Sequence, residues 1–301
     1  MVTRRRVLQV GGGGVLAGAL GAGYAAGVEP MRLVVARHEM VPKAPWPEGL
    51  RIRIAALSDI HASDPYMSAA RIRRIAEAAN ALEPDLIVLL GDFVAGSRIV
   101  ASYVESRDWS RALAPLRAPL GVHAVLGNHD WWDDRTAQRT GESPVARRAL
   151  EDAGIRVLQN EAVPLRTASG DVWLAGLGDQ LAFLPARRRD PSRRLGIEDL
   201  PGTLAAIPKG APSILLAHEP DIFPQVPAHV ALTLCGHTHG GQVRLFGYSP
   251  VVPSRFRNRY AYGHVREHTD LVVSGGLGYS IVPVRFGVPP EITLVELGSA
   301  A

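Results

Sequence analysis

Five short apolar segments, each ending abruptly on residues with oxygen or nitrogen donors, constrain the fold of this chain more than any other sequence feature. The segments are RIAAL, LIVLL, HAVL, ILLA and ALTLC, followed in turn by SDIH, GD, GNHD, HE and GHTH. Short runs that are almost continuously apolar are typical of central β-strands whose two faces are both covered. The chain is therefore expected to bury its strands between other layers.

Amphipathic segments between these runs predict helices that supply the covering layers. Ser68–Leu82 has apolar residues at helical spacing with Ser68 as N-cap, and residues 143–154 form a second such segment. Strands alternate with helices early and follow one another more closely later. This order predicts an α/β fold class, with two mixed β-sheets packed as a sandwich and flanked by α-helices. We expect one domain over residues 50–298, preceded by a strand and linker at residues 29–49.

The first 28 residues have the layout of an export signal, with adjacent arginines, a glycine-diluted apolar stretch and small residues. The segment TRRRVLQ resembles the twin-arginine signal. We therefore expect the twin-arginine export machinery to carry the protein across the cytoplasmic membrane, to the periplasm or the extracytoplasmic face. Val7–Val28 is also long enough to cross a bilayer, so membrane association through an uncleaved anchor stays open.

The donors that follow the five segments are expected to converge, because ligands of α/β folds collect at the carboxyl ends of strands. Two carboxylates, one amide and several imidazoles without thiolate suit Zn, Mn, Fe or Co, and they exceed the needs of one tetrahedral ion. Two ions about 3.5–4 Å apart, bridged by a carboxylate, would use the set. The pairs Asp59/His61 and His237/His239 should each point one way, because residues i and i+2 of extended backbone lie on one side.

The series D-x-H, G-D, G-N-H-D, H and G-H-T-H resembles the calcineurin-like metallophosphoesterase superfamily from roughly Leu50 to the C-terminus. The closing segment SGGLGYSIVPVRFGVPPEITLVEL and the N-terminal signal together resemble its exported bacterial phosphodiesterase branch. The resemblance implies a binuclear centre with these ligands: Asp59, His61 and His239 for one divalent ion, Asn128, His218 and His237 for the other, and Asp92 as the bridge. It also implies that His129 lies beside the ions and that Asp130 orients it.

The activity that the resemblance implies is phosphodiester hydrolysis, in which a metal-activated hydroxide attacks phosphorus and His129 protonates the leaving oxygen. The Asp-Arg-Gly motif of protein serine/threonine phosphatases does not follow Gly91, and the tyrosine of purple acid phosphatases is missing, so both subfamilies are disfavoured. Two alternatives stay open: a pyrophosphohydrolase of a nucleotide-linked lipid precursor, and a non-catalytic scaffold. A net charge of only +4 and the lack of an aromatic-basic stripe argue against a nucleic-acid partner.

Three features near these motifs have open roles. Trp131 and Trp132 could form an apolar substrate wall or anchor the following loop. The arginine-rich segment Pro185–Arg194 is predicted to be a solvated loop, with a phosphate or membrane-surface contact as the second interpretation. Arg285 lies in the closing segment, where spacing assigns it no role.

Overall fold

The computed structural model describes residues 18–97, 99–184 and 195–298. The twin-arginine motif and the Pro185–Arg194 segment lie outside the described residues, so the export signal and the solvated loop stay predictions. Residues 18–27 form a helix, α1. None of the helices formed by the described residues has the length and apolar character needed to span a bilayer.

The strands of the described residues form two six-stranded sheets and a two-stranded ribbon. In chain order the strands are β1 Val34–Met40, β2 Ile52–Leu57, β3 Ser63–Asp64, β4 Leu86–Leu89, β5 Ser102–Tyr103, β6 Val122–Ala124, β7 Arg156–Val157, β8 Glu161–Thr167, β9 Gly170–Gly176, β10 Ser213–Leu216, β11 Leu232–Cys235, β12 Gly263–Arg266, β13 Asp270–Val273 and β14 Glu291–Leu297. The first sheet has the order β1-β14-β2-β4-β6-β7, the second β12-β13-β11-β10-β9-β8, and β3 pairs with β5.

Helices connect and cover these strands. After α1 they are α2 Ala69–Asn80, α3 Ser106–Leu113, α4 Asn128–Trp132, α5 Arg135–Thr140, α6 Val145–Asp152 and α7 Leu200–Ala205. Short 3-10 helices occur at Glu29–Met31, Pro220–Gln225, His239–Gly241 and Arg257–Tyr260.

Both sheets are mixed, but the strands at their centres run parallel. In the first sheet β2, β4, β6 and β7 are parallel, whereas β14 is antiparallel to β2. In the second sheet β9, β10, β11 and β13 are parallel, and the outer strands β8 and β12 are antiparallel to their neighbours. Each sheet therefore has one edge at which several strands end together.

Alternate side chains of the central strands face different layers, as the pleat requires. In β2, Ile54 and Ala56 pack into the interior between the two sheets, while Ala55 and Leu57 pack against the helical layer. The outer face of the second sheet is covered in turn by a cluster that includes Phe223. The predicted fold class, two mixed sheets in a sandwich flanked by helices, is confirmed.

Helix α2 shows how local sequence fixes an element. The Ser68 hydroxyl accepts a hydrogen bond from the Arg71 backbone N–H (3.3 Å), as expected of an N-cap. Its buried apolar residues, Ile72, Ile75, Ala76 and Ala79, recur at helical spacing. Helices α3, α4, α5 and α7 were not predicted, because elements of five to eight residues carry too few turns for a clear period. Helix α6 is equally short but was predicted, because Ser143-Pro144 opens it and Gly154 closes it.

Candidate metal centre

The seven predicted metal ligands lie together where parallel strands of both sheets end. They follow five strands: β2 (Asp59, His61), β4 (Asp92), β6 (Asn128), β10 (His218) and β11 (His237, His239). Six of the seven residues are at most 2% exposed, and His237 is half-buried. The sandwich therefore brings donors into one nearly dry site even though they are up to 180 positions apart in the chain.

One group of donors comprises Asp59, His61 and His239, whose possible ligand atoms all lie within 4.8 Å of one another. His239 Nε2 is 3.1 Å from His61 Nε2 and 3.4 Å from Asp59 Oδ1. The Asp59 carboxylate is held by the His237 backbone N–H (3.0 Å) and by the hydroxyl of Ser58 (2.6 Å). These three side chains could bind one cation.

A second group comprises Asp92, His218 and His237 within the same distance limit. His237 Nδ1 lies 3.3 Å from His218 Nε2 and 3.0 Å from Asn128 Oδ1, so the amide predicted as a ligand joins this group. The composition of both groups agrees with the ligand sets that the resemblance implies.

Asp92 touches both groups through a single atom. Its Oδ2 is 3.6 Å from His61 Nε2 of the first group and 3.2 Å from His218 Nε2 of the second. Its other oxygen, Oδ1, accepts a hydrogen bond from the His129 backbone N–H (2.8 Å), which fixes the orientation of the carboxylate. One carboxylate oxygen between two sets of ligands is the geometry of a bridging ligand.

The hydrogen bonds of His218 show that these donors fit a cation. His218 Nδ1 lies 2.6 Å from the Leu90 carbonyl oxygen, and a carbonyl only accepts, so Nδ1 carries the proton. In the neutral imidazole, Nε2 then presents a lone pair toward Asp92 Oδ2 and His237 Nδ1. Converging lone pairs on a carboxylate, an amide oxygen and imidazole nitrogens repel one another, and a divalent cation among them removes that repulsion. The residues therefore fit a divalent metal.

The charge states of the site follow from burial and from Asp92. Burial lowers the pKa of His61 and of His237 to about 4, which keeps both rings neutral and able to ligate. Burial raises the pKa of Asp59 to about 6. Burial also acts to lower the pKa of His218, but the Asp92 carboxylate outweighs it and holds that pKa well above its ordinary value, so without a cation Nε2 carries a proton that faces Asp92, and a bound cation would replace that proton. Asp92 thus attracts positive charge to the point between the two groups.

The backbone of the ligand residues differs from the extended conformation expected from the sequence. Asp59, His61, His237 and His239 have φ values of 53°, 46°, 68° and 50°, in the left-handed region, and Asp92 has 57°. The prediction that residues i and i+2 are extended and point to the same side was therefore wrong. These residues follow the strands and lie in tight turns. Asp59 and His61 meet in one group, whereas His237 and His239 enter different groups. Clustered left-handed residues store strain, about 1–3 kcal/mol each, and such strain is typical of functional sites.

Gly127 lets the Asp92 carboxylate lie close to the donors of the second sheet. A Cβ at Gly127 would lie 2.4 Å from Asp92 Oδ1 and 2.7 Å from the His218 ring. No side chain fits at that distance, so the glycine of GNHD is required by close approach. Its φ of −111° is available to any residue.

The predicted contact between Asp130 and the His129 ring is replaced by other contacts. The Asp130 carboxylate accepts hydrogen bonds from four backbone N–H groups, those of Asp92 (3.0 Å), Phe93 (2.9 Å), Val94 (3.2 Å) and Gly127 (2.9 Å). Asp130 is the third residue of α4, so its side chain turns back to the helix start and to the β4 loop. The orienting role assigned to Asp130 is therefore corrected: it holds the Asp92 loop.

The carboxylate beside His129 is Asp133, one helical turn later. His129 Nδ1 lies 3.4 Å from Asp133 Oδ2, and the His129 ring packs edge-on against His61 and Trp132 at 5.1 Å and 5.2 Å. Burial acts to lower the pKa of His129, but Asp92 and Asp133 raise it above its ordinary value. The i, i+4 spacing of His129 and Asp133 could have shown this pair once NHDWWD was read as a helix.

Replacing Asp130 is expected to unfold the site, whereas replacing Asp133 is not. Asp130→Ala leaves buried N–H groups of the Asp92 loop without acceptors, and it should lower the free energy of unfolding by on the order of 3 kcal/mol. Asp133 is exposed at the surface of α4, so Asp133→Ala should change that free energy by less than about 0.5 kcal/mol. Urea denaturation of both variants measures the difference. Equal stability of the two variants would contradict the structural role of Asp130.

A cavity of about 570 Å³ opens beside the ligands, and the two tryptophans divide between the predicted roles. Trp132 lines the cavity together with His129 and donates its indole N–H to the Leu181 carbonyl oxygen (2.6 Å). Trp131 is 2% exposed and packs in the helical layer, with its ring 5.7 Å from that of Phe183. Trp132 is thus a wall residue, and Trp131 is an anchor.

Arg285, to which spacing assigned no role, is fully buried beneath the first group of donors. Its guanidinium donates to the carbonyl oxygens of Gly275, Gly278 and Val288, and Nη2 lies 3.3 Å from His239 Nδ1. It therefore ties the closing segment of the chain to the ring of His239, a predicted metal ligand. A lone arginine in a sequence gives no signal for such a set of backbone partners.

The part of the chain that carries these donors is similar in sequence to known proteins. Residues 52–241 match the family described as calcineurin-like phosphoesterase. The matched segment begins at β2 and ends just after His239, so it contains all seven donors.

Relatives resemble nearly the whole chain. A protein of Bacillus subtilis (strain 168) named uncharacterized metallophosphoesterase YkuE is 32% identical over 99% of this chain and 98% of its own length. Phosphodiesterase YaeI of Escherichia coli (strain K12) is 30% identical over 99% of this chain and 100% of its own length. A Danio rerio protein named transmembrane protein with metallophosphoesterase domain is 31% identical, over 86% of this chain and 56% of that protein.

Proposed function

This chain belongs to the calcineurin-like phosphoesterase family, and on that premise we propose that it is a phosphodiesterase with two divalent cations in its active site. The observation that carries the proposal is Asp92 Oδ2, which lies within 3.6 Å of a histidine nitrogen from each group. Asp59, His61 and His239 would hold the first cation, and Asn128, His218 and His237 would hold the second. Asp92 would be the carboxylate that the two cations share.

Bound divalent cations supply positive charge to the phosphoryl oxygens and acidify an attacking water into the neutral pH range. The residues of this chain do the remaining work. The two groups would hold the cations beside the cavity, which Asp92, Asn128 and His237 line, and would thereby fix the position of the phosphate. His129 lines the same cavity and donates a proton to the leaving oxygen. Asp133 holds the ring through Nδ1.

A phosphodiester is favoured over other phosphate compounds by the name of one relative and by the shape of the site. The Escherichia coli relative is called a phosphodiesterase. The cavity extends well beyond the ligands, which leaves room for a second substituent on phosphorus. Zn, Mn, Fe and Co all suit the mixture of imidazole, carboxylate and amide donors.

The non-catalytic scaffold is disfavoured because nothing in the donor set has decayed. A scaffold has no need to hold five residues of one site in left-handed backbone conformations, yet this chain does. The buried donors would also cost stability without a cation to bind. Both features are accounted for by a metal-dependent enzyme.

We expect the full chain to hydrolyse bis(p-nitrophenyl) phosphate when Mn or Zn is added. Chelation with EDTA should abolish the release of p-nitrophenolate, because the remaining side chains cannot neutralise the phosphate, and re-addition of the divalent ion should restore it. The diester should be cleaved faster than p-nitrophenyl phosphate under the same conditions. Absence of hydrolysis with Mn, Zn, Fe and Co alike would contradict the enzyme and favour the scaffold.

A further inference from the structure

The cavity beside the candidate metal centre has an apolar wall, and apolar side chains do not bind a phosphate group. Beyond the donors, the cavity is lined chiefly by Trp132, Val243, Val251, Ile281, Val282 and Val284. A phosphate group and a polar alcohol need hydrogen-bond donors, and a wall of this composition offers few. Apolar walls with a few polar groups at one end are typical of sites for largely apolar ligands.

A tight hairpin at the rim presents a phenylalanine to solvent. Leu245 and Tyr248 exchange two backbone hydrogen bonds of 2.9 Å, and Phe246 and Gly247 form the turn with φ values of 49° and 83°. Both turn positions of such a hairpin normally carry asparagine, aspartate or glycine. Phe246 is nevertheless fully exposed there. A bulky apolar residue in this position is strained and unprotected, and solubility does not explain it.

A second exposed apolar residue with unusual backbone lines the cavity itself. Ile281 is 74% exposed and has a φ of 57°, which is an outlier for a β-branched residue. Its carbonyl oxygen accepts a hydrogen bond from the Ser97 hydroxyl (2.6 Å), and Gln242 donates to the carbonyls of Val282 and Val284. The loop is therefore fixed in place, and its apolar side chains are held outward.

The segment that carries this hairpin is basic. Residues 240–266 contain five arginines and no aspartate or glutamate. Three of the arginines pair with carboxylates outside the segment: Arg255 with Asp221, Arg259 with Glu267 and Arg266 with Asp270. Arg244 and Arg257 form no ion pair with another described residue. Exposed apolar side chains with nearby arginines are typical of surfaces that rest on anionic lipid.

The N-terminal helix α1 reaches the same edge of the molecule. The Arg285 backbone N–H donates to the Ala25 carbonyl oxygen (2.9 Å), and the rings of Tyr24 and Phe286 meet edge-on at 6.2 Å. Phe286 in turn bridges to Val243, which leads into the Phe246 hairpin. The helix, the hairpin and the Ile281 loop are therefore connected parts of one face.

We propose that the substrate is a lipid phosphodiester, whose phosphate binds at the metal centre and whose hydrocarbon chain lies on the wall formed by Val251 and Ile281. This inference rests on the phosphodiesterase proposed above and names its substrate class. Phe246 enters the lipid surface from which the substrate is taken, and Arg244 and Arg257 face anionic headgroups.

The test compares two dissolved substrates with the same leaving group, methyl p-nitrophenyl phosphate and octyl p-nitrophenyl phosphate. Each methylene that the wall buries should raise kcat/KM about fourfold. The octyl ester is therefore expected to exceed the methyl ester by at least about 60-fold, which corresponds to three methylenes. Equal kcat/KM for the two esters, with hydrolysis of both, would overturn the lipid proposal and leave the phosphodiesterase standing. If neither ester is hydrolysed with any divalent ion, the proposed function itself is wrong.

Variants of the apolar wall test where the hydrocarbon chain of the substrate binds. The double variant Val251→Ser/Ile281→Ser should lower the octyl-to-methyl ratio about tenfold, because two apolar contacts are lost. Val145→Ser, an exposed valine on α6 outside this cavity, is the matched control, and its ratio should stay within about twofold of the unmodified chain. A ratio unchanged in the double variant would contradict this binding site.

The variant Phe246→Ser tests separately whether Phe246 inserts into a lipid surface. A long-chain p-nitrophenyl ester is placed in phosphatidylglycerol vesicles, and its hydrolysis is compared with that of the dissolved octyl ester. The variant should lose about tenfold in rate on the vesicles, because one aromatic anchor is lost, and much less on the dissolved ester. Equal losses on both substrates would contradict the insertion of Phe246 into lipid.

Discussion

Asp92→Ala is expected to abolish phosphodiester hydrolysis and to leave the chain without both divalent ions. Asp92 Oδ2 is the atom that contacts a histidine of each group, so in the proposed centre its loss would remove a ligand from both cations at once. The substitution also leaves the second group without any carboxylate, and the first group keeps only that of Asp59. We expect kcat/KM to fall by at least about 10³-fold, more than the loss of a single charge-stabilising donor causes.

The controls for Asp92→Ala separate loss of metal from loss of fold. Asp92→Asn retains the shape and the acceptor for the His129 backbone N–H but removes the charge, so it should fold normally and still lose metal. Asp108→Ala removes an exposed carboxylate on α3 and should retain full activity. Activity should be followed with bis(p-nitrophenyl) phosphate, metal content by elemental analysis, and folding by circular dichroism. Unchanged activity in Asp92→Ala would end the bridging role.

His129→Ala should slow the reaction strongly without releasing metal, and the size of the effect should depend on the leaving group. A dialkyl phosphate leaves as a poor alkoxide and needs the proton from His129, so kcat should fall about 10²–10⁴-fold. The p-nitrophenolate ion is stable without a proton, so the loss on bis(p-nitrophenyl) phosphate should be much smaller. Phosphorus NMR measures the first reaction, and absorbance measures the second.

Two outcomes would remove His129 from the general-acid role. The first is an equal loss of kcat on the alkyl and aryl substrates, since proton donation matters only for the poor leaving group. The second is loss of metal from His129→Ala, which would make His129 a ligand. Trp132→Phe, which keeps an aromatic ring against His129, is the matched control for packing and should retain the ratio between the two substrates.

The sequence predicted the two sheets and a cluster of donors because both depend on strand ends, whereas the choice of seven ligands among these donors came from the resemblance. Continuous apolar runs such as LIVLL are typical of central strands covered on both faces. A donor directly after such a run lies at the carboxyl edge of a sheet. Asp92 and His218 were identified in this way, and the structure brings them to 3.2 Å. The partition of the donors into two groups came only from the resemblance, since spacing does not show which donors from different strands meet.

The backbone of the site was not predictable, because left-handed residues leave no periodic signal. His237 and His239 are two apart, but positive φ values send them to different groups. The role of Asp130 was missed for a related reason. Its partners are backbone N–H groups from the β4 loop, about 37 positions away, and backbone partners have no identity in a sequence. Short helices such as α4 hid the i, i+4 relation of His129 and Asp133.

The apolar wall of the cavity could not be predicted from the sequence either. Val251 and Ile281 stand in segments without regular secondary structure, so neither period nor alternation assigns them to a surface. Their exposure follows from the hairpin at Phe246 and from the loop that Ser97 and Gln242 hold in place. Such positions depend on contacts between segments distant in the chain, which only the folded molecule shows.

The most direct test of the binuclear centre is the metal content of the unmodified full chain. The protein is saturated with Mn, freed of unbound ion by gel filtration, and analysed for metal and protein together. Two ions per chain are expected, because the donors form two groups joined by one carboxylate. A saturating value of one ion per chain, or none, would contradict the pair of cations on which the proposed chemistry depends.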